Sequence, residues 1–483
     1  MEVPYGATSS GRLSDDAVQL LLETGPKAAP CRFLEIGAGS GLFAKLFLDM
    51  LKAQAPEIYR DCTYVLTDGN ANMLTSLAEY GVLADHVDHI ETRVFDAGAP
   101  WPADFTSAFD GVFGSYILDS LPVDFLMTGK SGIQRMEARC TLPKPDPALA
   151  SALKTPGFSH LTPFLNTAKN LGIQTRYVKA PSLPFANSIG LAEGADTPMV
   201  HCFGALACVE NIAKSLRPNG FAMLSDYGTL IPREPSDLIE FQNFGASAAN
   251  AVNFHQLDAH FESGPTAYIK PETEEGHLIT RVLYNGPSGD LADLVDLLFG
   301  EVRQQALRLP VEAARDMLRG NAFQSARRLY SKAMELQPQN WALAEEVAEL
   351  LLLPEGDFEG AKALAEFALG LNPLAPGLHR IVAESCYEAG NMEGAKAALE
   401  ICLRYFGDTA QARLLQAKLE IENEQFEAAL IAIAQGMAAD AEADYRDSLI
   451  ALQADILSLI SHKARNDLLA DVNRTRALDN LPL

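Results

Sequence analysis

Phe33-Leu34-Glu35-Ile36-Gly37-Ala38-Gly39-Ser40-Gly41 runs from a short apolar strand through three alternating glycines into an amphipathic stretch, Phe43–Ala53. Glycine lets a chain turn tightly and lets its backbone approach a ligand, and a helix that starts there aims free amides at it. A loop for dinucleotides has the spacing G-x-G-x-x-G, which requires a glycine at position 42. That position is Leu42, so the spacing is G-x-G-x-G, with an acid, Glu35, two residues before the first glycine.

The next two apolar runs also end in acids. Tyr64-Val65-Leu66-Thr67-Asp68 closes on a carboxylate that can accept from both hydroxyls of a ribose, and Thr92-Arg93-Val94-Phe95-Asp96 closes on one that can accept from an adenine amino group. S-adenosylmethionine (SAM) has no pyrophosphate and carries an α-ammonium, so an acidic strand end suits it. The expected cofactor is therefore SAM, held by Glu35, Gly37, Ala38, Gly39, Gly41, Asp68 and Asp96, with Ser115 at the end of the fourth strand region. No metal site is expected.

Strand-like and helix-like runs alternate through the first 300 residues, with further strands at Gly111–Gly114, Phe221–Ser225 and His277–Tyr284. That alternation predicts an α/β fold with a parallel, doubly wound sheet. Beyond residue 300 strand signals vanish and a repeat begins. Phe323, Phe358, Met392 and Phe426 recur at steps of 35, 34 and 34, and Ala326, Ala361, Ala395 and Ala429 follow each by three residues. Tyr330, Ala365, Leu399 and Ile433 form a third column; Ala333, Ala368, Cys402 and Gly436 form a fourth. A small residue allows two antiparallel helices to approach, and Pro338 and Pro373 close the first two units. The pattern resembles tetratricopeptide repeats, four units over roughly 307–441, followed by a cap helix at Asp444–Ile460. The expected domains are 1–302 and 303–483.

Composition excludes some functions. The 38 Lys and Arg stand against 63 Asp and Glu, for a net charge of −25. Nucleic acid is not expected as a partner, because neutralising phosphates takes a basic surface. No apolar run has transmembrane length, and no membrane partner is expected. Seven cysteines without a CxxC pattern fit a reducing compartment, and a cytoplasmic location is expected.

The fourth strand region leads into Ser115-Tyr116-Ile117-Leu118-Asp119-Ser120-Leu121-Pro122, and the fifth ends in Ser225-Asp226-Tyr227-Gly228. With the glycine loop, these resemble the MidA-like class I SAM-dependent methyltransferases, relatives of the mitochondrial arginine methyltransferase of complex I assembly. The resemblance spans about 30–290. That family's pattern is Asn-Glu-x-x-Asp-Ala-Leu-Pro, then Asp-Tyr-Gly. The chain keeps Asp119, Leu121, Pro122, Asp226, Tyr227 and Gly228 but has Ser115-Tyr116 in place of Asn-Glu. Tyr cannot hold a guanidinium as a Glu can.

Methyl transfer is an in-line displacement, so the protein aligns a nucleophile and removes its proton. Tyr116, Asp119, Asp226 and Tyr227, near the carboxyl ends of strands, are the candidate catalytic residues; His201 and His255 are lone histidines that more often serve structure. Between Leu121 and His201 lies a Pro-rich stretch, read as an irregular, locally basic insertion (about 123–200) facing the substrate. The expected function is a Rossmann-like SAM-dependent methyltransferase acting on a protein or peptide recruited by the repeats. Alternatives are a small-molecule methyltransferase whose repeats dimerise and a non-catalytic SAM-binding scaffold; homo-oligomerisation stays open.

Overall fold

The structure, a computed structural model, describes residues 11–25, 30–129, 132–141, 172–180, 182–189, 197–230, 242–244, 247–262, 264–274, 278–353, 355–406, 409–440 and 443–479. Two compact units, Gly11–Ala306 and Leu307–Leu483, divide the described chain.

The first unit is built on strands β1 (Arg32–Ile36), β2 (Thr63–Asp68), β3 (Ile90–Val94), β4 (Phe109–Ser115) and β9 (Leu216–Thr229). These pair in parallel in the order β9-β4-β1-β2-β3. Phe33, Leu34, Val112 and Ala222 are fully buried, as expected of parallel strands covered on both faces. The sheet is not parallel throughout. β14 (Leu278–Tyr284) joins β9 antiparallel and β13 (Ala267–Ile269) joins β14 antiparallel. The short connection from β13 to β14 explains this, because a parallel partner needs a crossover of about a dozen residues. The strand order reverses between β1 and β4, and ligands of open α/β sheets sit at the carboxyl ends of the strands at such a point.

Helices α1 (Arg12–Thr24), α2 (Leu42–Gln54), α3 (Pro56–Arg60) and α4 (Ala71–Tyr80) flank β1 and β2 in sequence, and α5 (Phe203–Ser215) precedes β9. On one face, Phe33, Phe47 and Phe113 pack edge-on and tilted, with centroids 5.2 Å (Phe33–Phe47) and 4.9 Å (Phe47–Phe113) apart. On the other, Leu206, Val209 and Ile212 of α5 and Phe254 and Leu257 of α6 (Phe254–Phe261) join Leu34, Val112 and Leu224 in one apolar cluster. Arg281, in the middle of β14, is only 1% exposed and is neutralised by Asp258 of α6 and by Glu274.

The stretch read as irregular is a second sheet where it is described. β5 (Asp124–Gly129), β6 (Gly132–Thr141), β7 (Gly172–Lys179) and β8 (Thr197–His201) pair antiparallel in the order β7-β6-β5-β8. The sequence hid it because each strand is short or charged on one face: Arg135, Glu137 and Arg139 alternate along β6, and Arg176 bonds Glu137 across to β7. Lys130, Lys144, Lys154, Lys169, Glu193 and Asp196 of that basic stretch lie outside the described residues. Short strands β10 (Gln242–Phe244) and β11 (Ser247–Ala249) form a hairpin, and β12 (Val252–Asn253) pairs with the end of β9.

The second unit is helical. α7 (Leu291–Phe299) belongs to the first unit, and α8 (Glu301–Arg319) contains the division between the two. Then follow α9 (Phe323–Leu336), α10 (Trp341–Leu352), α11 (Phe358–Leu371), α12 (Pro376–Glu388), α13 (Met392–Phe406), α14 (Ala410–Glu422), α15 (Phe426–Ala439) and α16 (Arg446–Asp479). Phe323, Phe358, Met392 and Phe426 each open a helix, and Ala326, Ala361, Ala395 and Ala429 are all completely buried. Asn340, Asp357, Asn391 and Thr409 accept from amides in the first turns that follow them, the usual device for orphaned donors at a helix start. The closing helix is longer than the expected Asp444–Ile460. Its first half buries Leu449 and Ile456, and no Gly or Pro interrupts Ser461–Asp479.

Because the alanine columns have no room for added volume, Ala361→Phe should cost about 1–3 kcal/mol of stability. A fragment starting at Glu301 should give a strongly helical circular dichroism spectrum and a cooperative melt, and its Ala361→Phe version should melt earlier by that margin. A random-coil spectrum of the parent fragment would contradict the repeat assignment.

Candidate active site

The loop after β1 is a run of left-handed turns. Gly37, Gly39 and Gly41 have φ of +76°, +50° and +71°, which side chains rarely tolerate. The amide of Ala38 donates to the Thr67 carbonyl (2.8 Å), and Gly39 donates to Asp68 Oδ2 (3.3 Å). The loop is therefore clasped to the end of β2, and α2 starts at Leu42 with Gly41 as its cap. A Cβ on Gly39 would meet nothing within 4 Å, so this part of the loop faces open space. A Cβ on Gly37 would lie 3.3 Å from Ile117 Cδ1. The turn after β4 thus packs directly on the glycine loop.

The expected cofactor residues gather on this carboxyl edge. Asp68 accepts from Asn70 with its other oxygen (2.8 Å). β3 ends at Val94, two residues before Asp96, which is exposed and accepts from the Gly98 amide (2.8 Å). Gly98 lies close to Leu121, so the Asp96 turn neighbours the Leu121-Pro122 segment. Ser115 pairs with Ser225 at the last register position of β4 and β9.

Glu35 lies deeper than the other two acids expected to hold the cofactor. Its side chain is 6% exposed and accepts from the Tyr64 hydroxyl (2.8 Å) within the aromatic face of the sheet. Burial raises its carboxyl to about 8, against the lowering effect of Tyr64. In this structure the carboxyl faces Tyr64 in the strand under the loop.

The four catalytic candidates also come together. Tyr116 follows β4 with φ +56°, a strained conformation for a bulky residue. Its amide donates to Ser225 (3.0 Å), and its ring stacks on that of Tyr227 with centroids 5.2 Å apart. Burial and Tyr116 both raise the Tyr227 hydroxyl above its ordinary range. Asp119 is 9% exposed, and burial lifts its carboxyl to about 6. Asp226 is wholly buried. Its Oδ2 accepts from the amides of Leu118 (2.7 Å) and Asp119 (3.1 Å), and its Oδ1 from that of Tyr227 (2.7 Å).

His201 is structural: Nε2 meets the Pro184 carbonyl at 2.7 Å and Nδ1 meets Gln256 at 2.6 Å. His255 lines a separate cavity of about 370 Å³ with Asp258, Lys270 and Glu274. Sequence reading missed Ile117, the wedge between loop and turn, and the buried group of Arg12, Asp16 and Arg303, whose Arg12 lies within electrostatic reach of Tyr116. Nothing in the order of residues marks either. Burial raises Asp16 to about 6 despite the two arginines.

A Rossmann-like sheet with a clasped glycine loop at its switch point, acids on the next two strand ends and a polar turn over the loop defines a nucleoside-type cofactor site. The family model described as "Putative S-adenosyl-L-methionine-dependent methyltransferase" matches residues 13–262, more than half of the chain, and the protein belongs to that family. Among solved structures, a likely methyl transferase from Burkholderia thailandensis bound to S-adenosyl-homocysteine is 19% identical over 54% of this chain and 62% of its own length, with a TM-score of 0.36. The chain thus spans less than two thirds of that protein. The carbon methyltransferase CurJ is 14% identical over 57% of this chain and 54% of its own, with a TM-score of 0.31. A tetratricopeptide protein of Thermus thermophilus is 17% identical over 36% of this chain and 99% of its own, with a TM-score of 0.27. No curated protein matches the chain in sequence.

The raised carboxyls set a pH dependence. Glu35 shifts from 4.5 to about 8 on folding, so the native state binds the extra proton. Its contribution to stability is complete below pH 4.5 and is lost as pH rises through about 8. Asp16, Asp119 and Glu346 act in the same direction over lower ranges. Melting temperature should therefore fall between about pH 5 and 8, and Glu35→Gln, which still accepts from Tyr64, should flatten that fall. An unchanged slope in Glu35→Gln would show that Glu35 is ionised in the folded protein.

Proposed function

We propose that the protein transfers the methyl group of SAM to an acceptor on a protein or peptide held by the helical repeats. The observation that carries this reading is the packing of Ile117 against Gly37. It sets Tyr116 and Asp119 beside the loop expected to hold the cofactor. The residues fit SAM: Gly39 leaves room for close backbone approach, Asp68 and Asp96 offer carboxylates at successive strand ends, and Ser115 adds a hydroxyl at the next one. When bound, SAM supplies an electrophilic methyl group on a sulfonium. Asp119, with a carboxyl near 6, is mostly ionised at neutral pH and basic enough to take a proton from the acceptor. The stacked rings of Tyr116 and Tyr227 wall the same space and restrict the acceptor's approach. Asp119, Leu121, Pro122 and Asp226-Tyr227-Gly228 support a MidA-like placement within the family, and Tyr116 in the place of Glu speaks against a bidentate clamp on a guanidinium. Among the described residues no helix is long and apolar enough to cross a membrane; a cytoplasmic location is part of this proposal.

Calorimetry should detect SAM with a micromolar-range affinity, roughly −8 kcal/mol. Asp68→Ala should weaken it by about 1–3 kcal/mol, since it removes both the ribose acceptor and the Gly39 clasp. No binding by the wild type would sink the enzyme reading.

The repeats' role has a kinetic test, once labelled SAM has identified an acceptor in host extracts. Removing the segment from Leu307 onward should leave SAM affinity intact and raise the acceptor's KM, because a docked target reacts intramolecularly. An unchanged KM would rule out recruitment. Turnover in neither form would favour a scaffold.

A further inference from the structure

Asp226 resembles a catalytic acid in sequence, but its carboxyl group is committed to backbone donors. Both oxygens are engaged, with the amides of Leu118 and Asp119 on one and that of Tyr227 on the other. The donors belong to two separate segments, the turn after β4 and the end of β9. Ser120 and Leu121 complete that turn with amides directed to Ile117 and Leu118, and Asn250 donates to the Asp119 carbonyl (3.1 Å). The Asp119 side chain, which contributes none of these bonds, sits at the rim of the cluster and interacts electrostatically with both Asp226 and Tyr227.

We infer that Asp226 is a positioning residue: its carboxyl group ties the turn after β4 to the end of β9 and so fixes the Asp119 carboxyl and the Tyr227 ring on one acceptor-facing wall. This rests on the proposed role of Asp119 as the base. Two acids packed this closely cannot both ionise easily. Burial and the neighbouring Asp119 carboxyl raise Asp226 well above its ordinary range, and the three amides offset this only in part. Burial alone lifts Asp119, to about 6, so Asp119 loses its proton first. Other titratable groups near the pair are Tyr116 on the same turn, Tyr227 on β9 and Cys202 ahead of α5. None of them carries charge near neutrality: burial raises Tyr227 and Cys202, and a phenol ionises only at high pH.

The test uses the full chain and needs no acceptor. Carbon-13 NMR follows the Asp119 carboxyl, assigned by its loss in Asp119→Asn. In Asp226→Asn its midpoint should fall from about 6 toward the ordinary carboxylate range, because an untied turn exposes the side chain that burial raises. Hydrogen exchange across 117–121 should quicken in the same variant. An unchanged midpoint with unchanged exchange would overturn the assignment, because a buried Asp with a merely space-filling role would affect neither. Should Asp226→Asn fail to fold, the wild type decides. The amides of Leu118, Asp119 and Tyr227 should be protected at neutral pH; free exchange there refutes the tie. SAM calorimetry on the wild type runs alongside. Absent SAM binding with an intact Asp226–Asp119 coupling refutes the methyltransferase reading and leaves the positioning role standing. Binding without coupling does the reverse.

Discussion

The left-handed turn from Gly37 to Gly41 is the constraint on which the first unit depends. Three glycines in five residues would sample many conformations in a free peptide, and the sheet supplies what fixes them at positive φ. Thr67 and Asp68 at the end of β2 accept from the loop's amides, while Ile117 closes it from the β4 side. The loop can therefore exist only where β1 lies between β2 and β4. This is the place where the strand order reverses, so the topology that creates the crevice also stabilises the loop that fills its floor.

The surrounding carboxylates divide by what faces them. Asp68 is half-buried and Asp96 exposed, and each accepts from amides with part of its capacity, which leaves acceptors for hydroxyls and amines. Glu35 sits among aromatic rings and meets a phenol, and burial raises its carboxyl to about 8. Asp226 is as buried as Glu35 and receives three amides, yet burial and Asp119 still raise it well above its ordinary range. Depth thus outweighs the donors at both fully buried acids. Asp119, at about 6, is raised by burial alone, and that value suits a group that must both accept and release a proton near neutrality.

Much of this was legible in the sequence. The loop spacing with Leu42 in place of a glycine, the acids at the ends of β2 and β3, and the columns at 34–35 residues are local or strictly periodic signals, and each corresponds to an observed element. The inserted sheet was not legible, because β6 pairs with β7 across more than thirty residues and its alternation is carried by charged side chains that resemble a solvated surface. The partner of Glu35 was not legible for a related reason. An acid at a strand end reads as exposed, but its direction depends on Tyr64, 29 residues away, whose hydroxyl is there to receive it. Asp226 shows the same limit. Its residue type suggested chemistry, and only the convergence of amides from positions about a hundred residues apart reveals a tie.

The two units solve the problem of burial differently, and the difference bears on function. The α/β unit fills its core with large side chains, Phe33, Phe47, Tyr64, Phe113 and Phe221 among them, which interlock and resist movement. The helical unit buries alanine at every repeat and relies on close helix approach, so each pair contacts mainly its neighbours and stability adds along the array. A rigid core suits residues that must hold a turn such as 116–119 within a few tenths of an ångström of a cofactor loop. An array whose surface can change repeat by repeat, without disturbing its alanine seams, suits recognition of a partner. The two kinds of packing thus allow each unit's surface to vary without disturbing the core of the other.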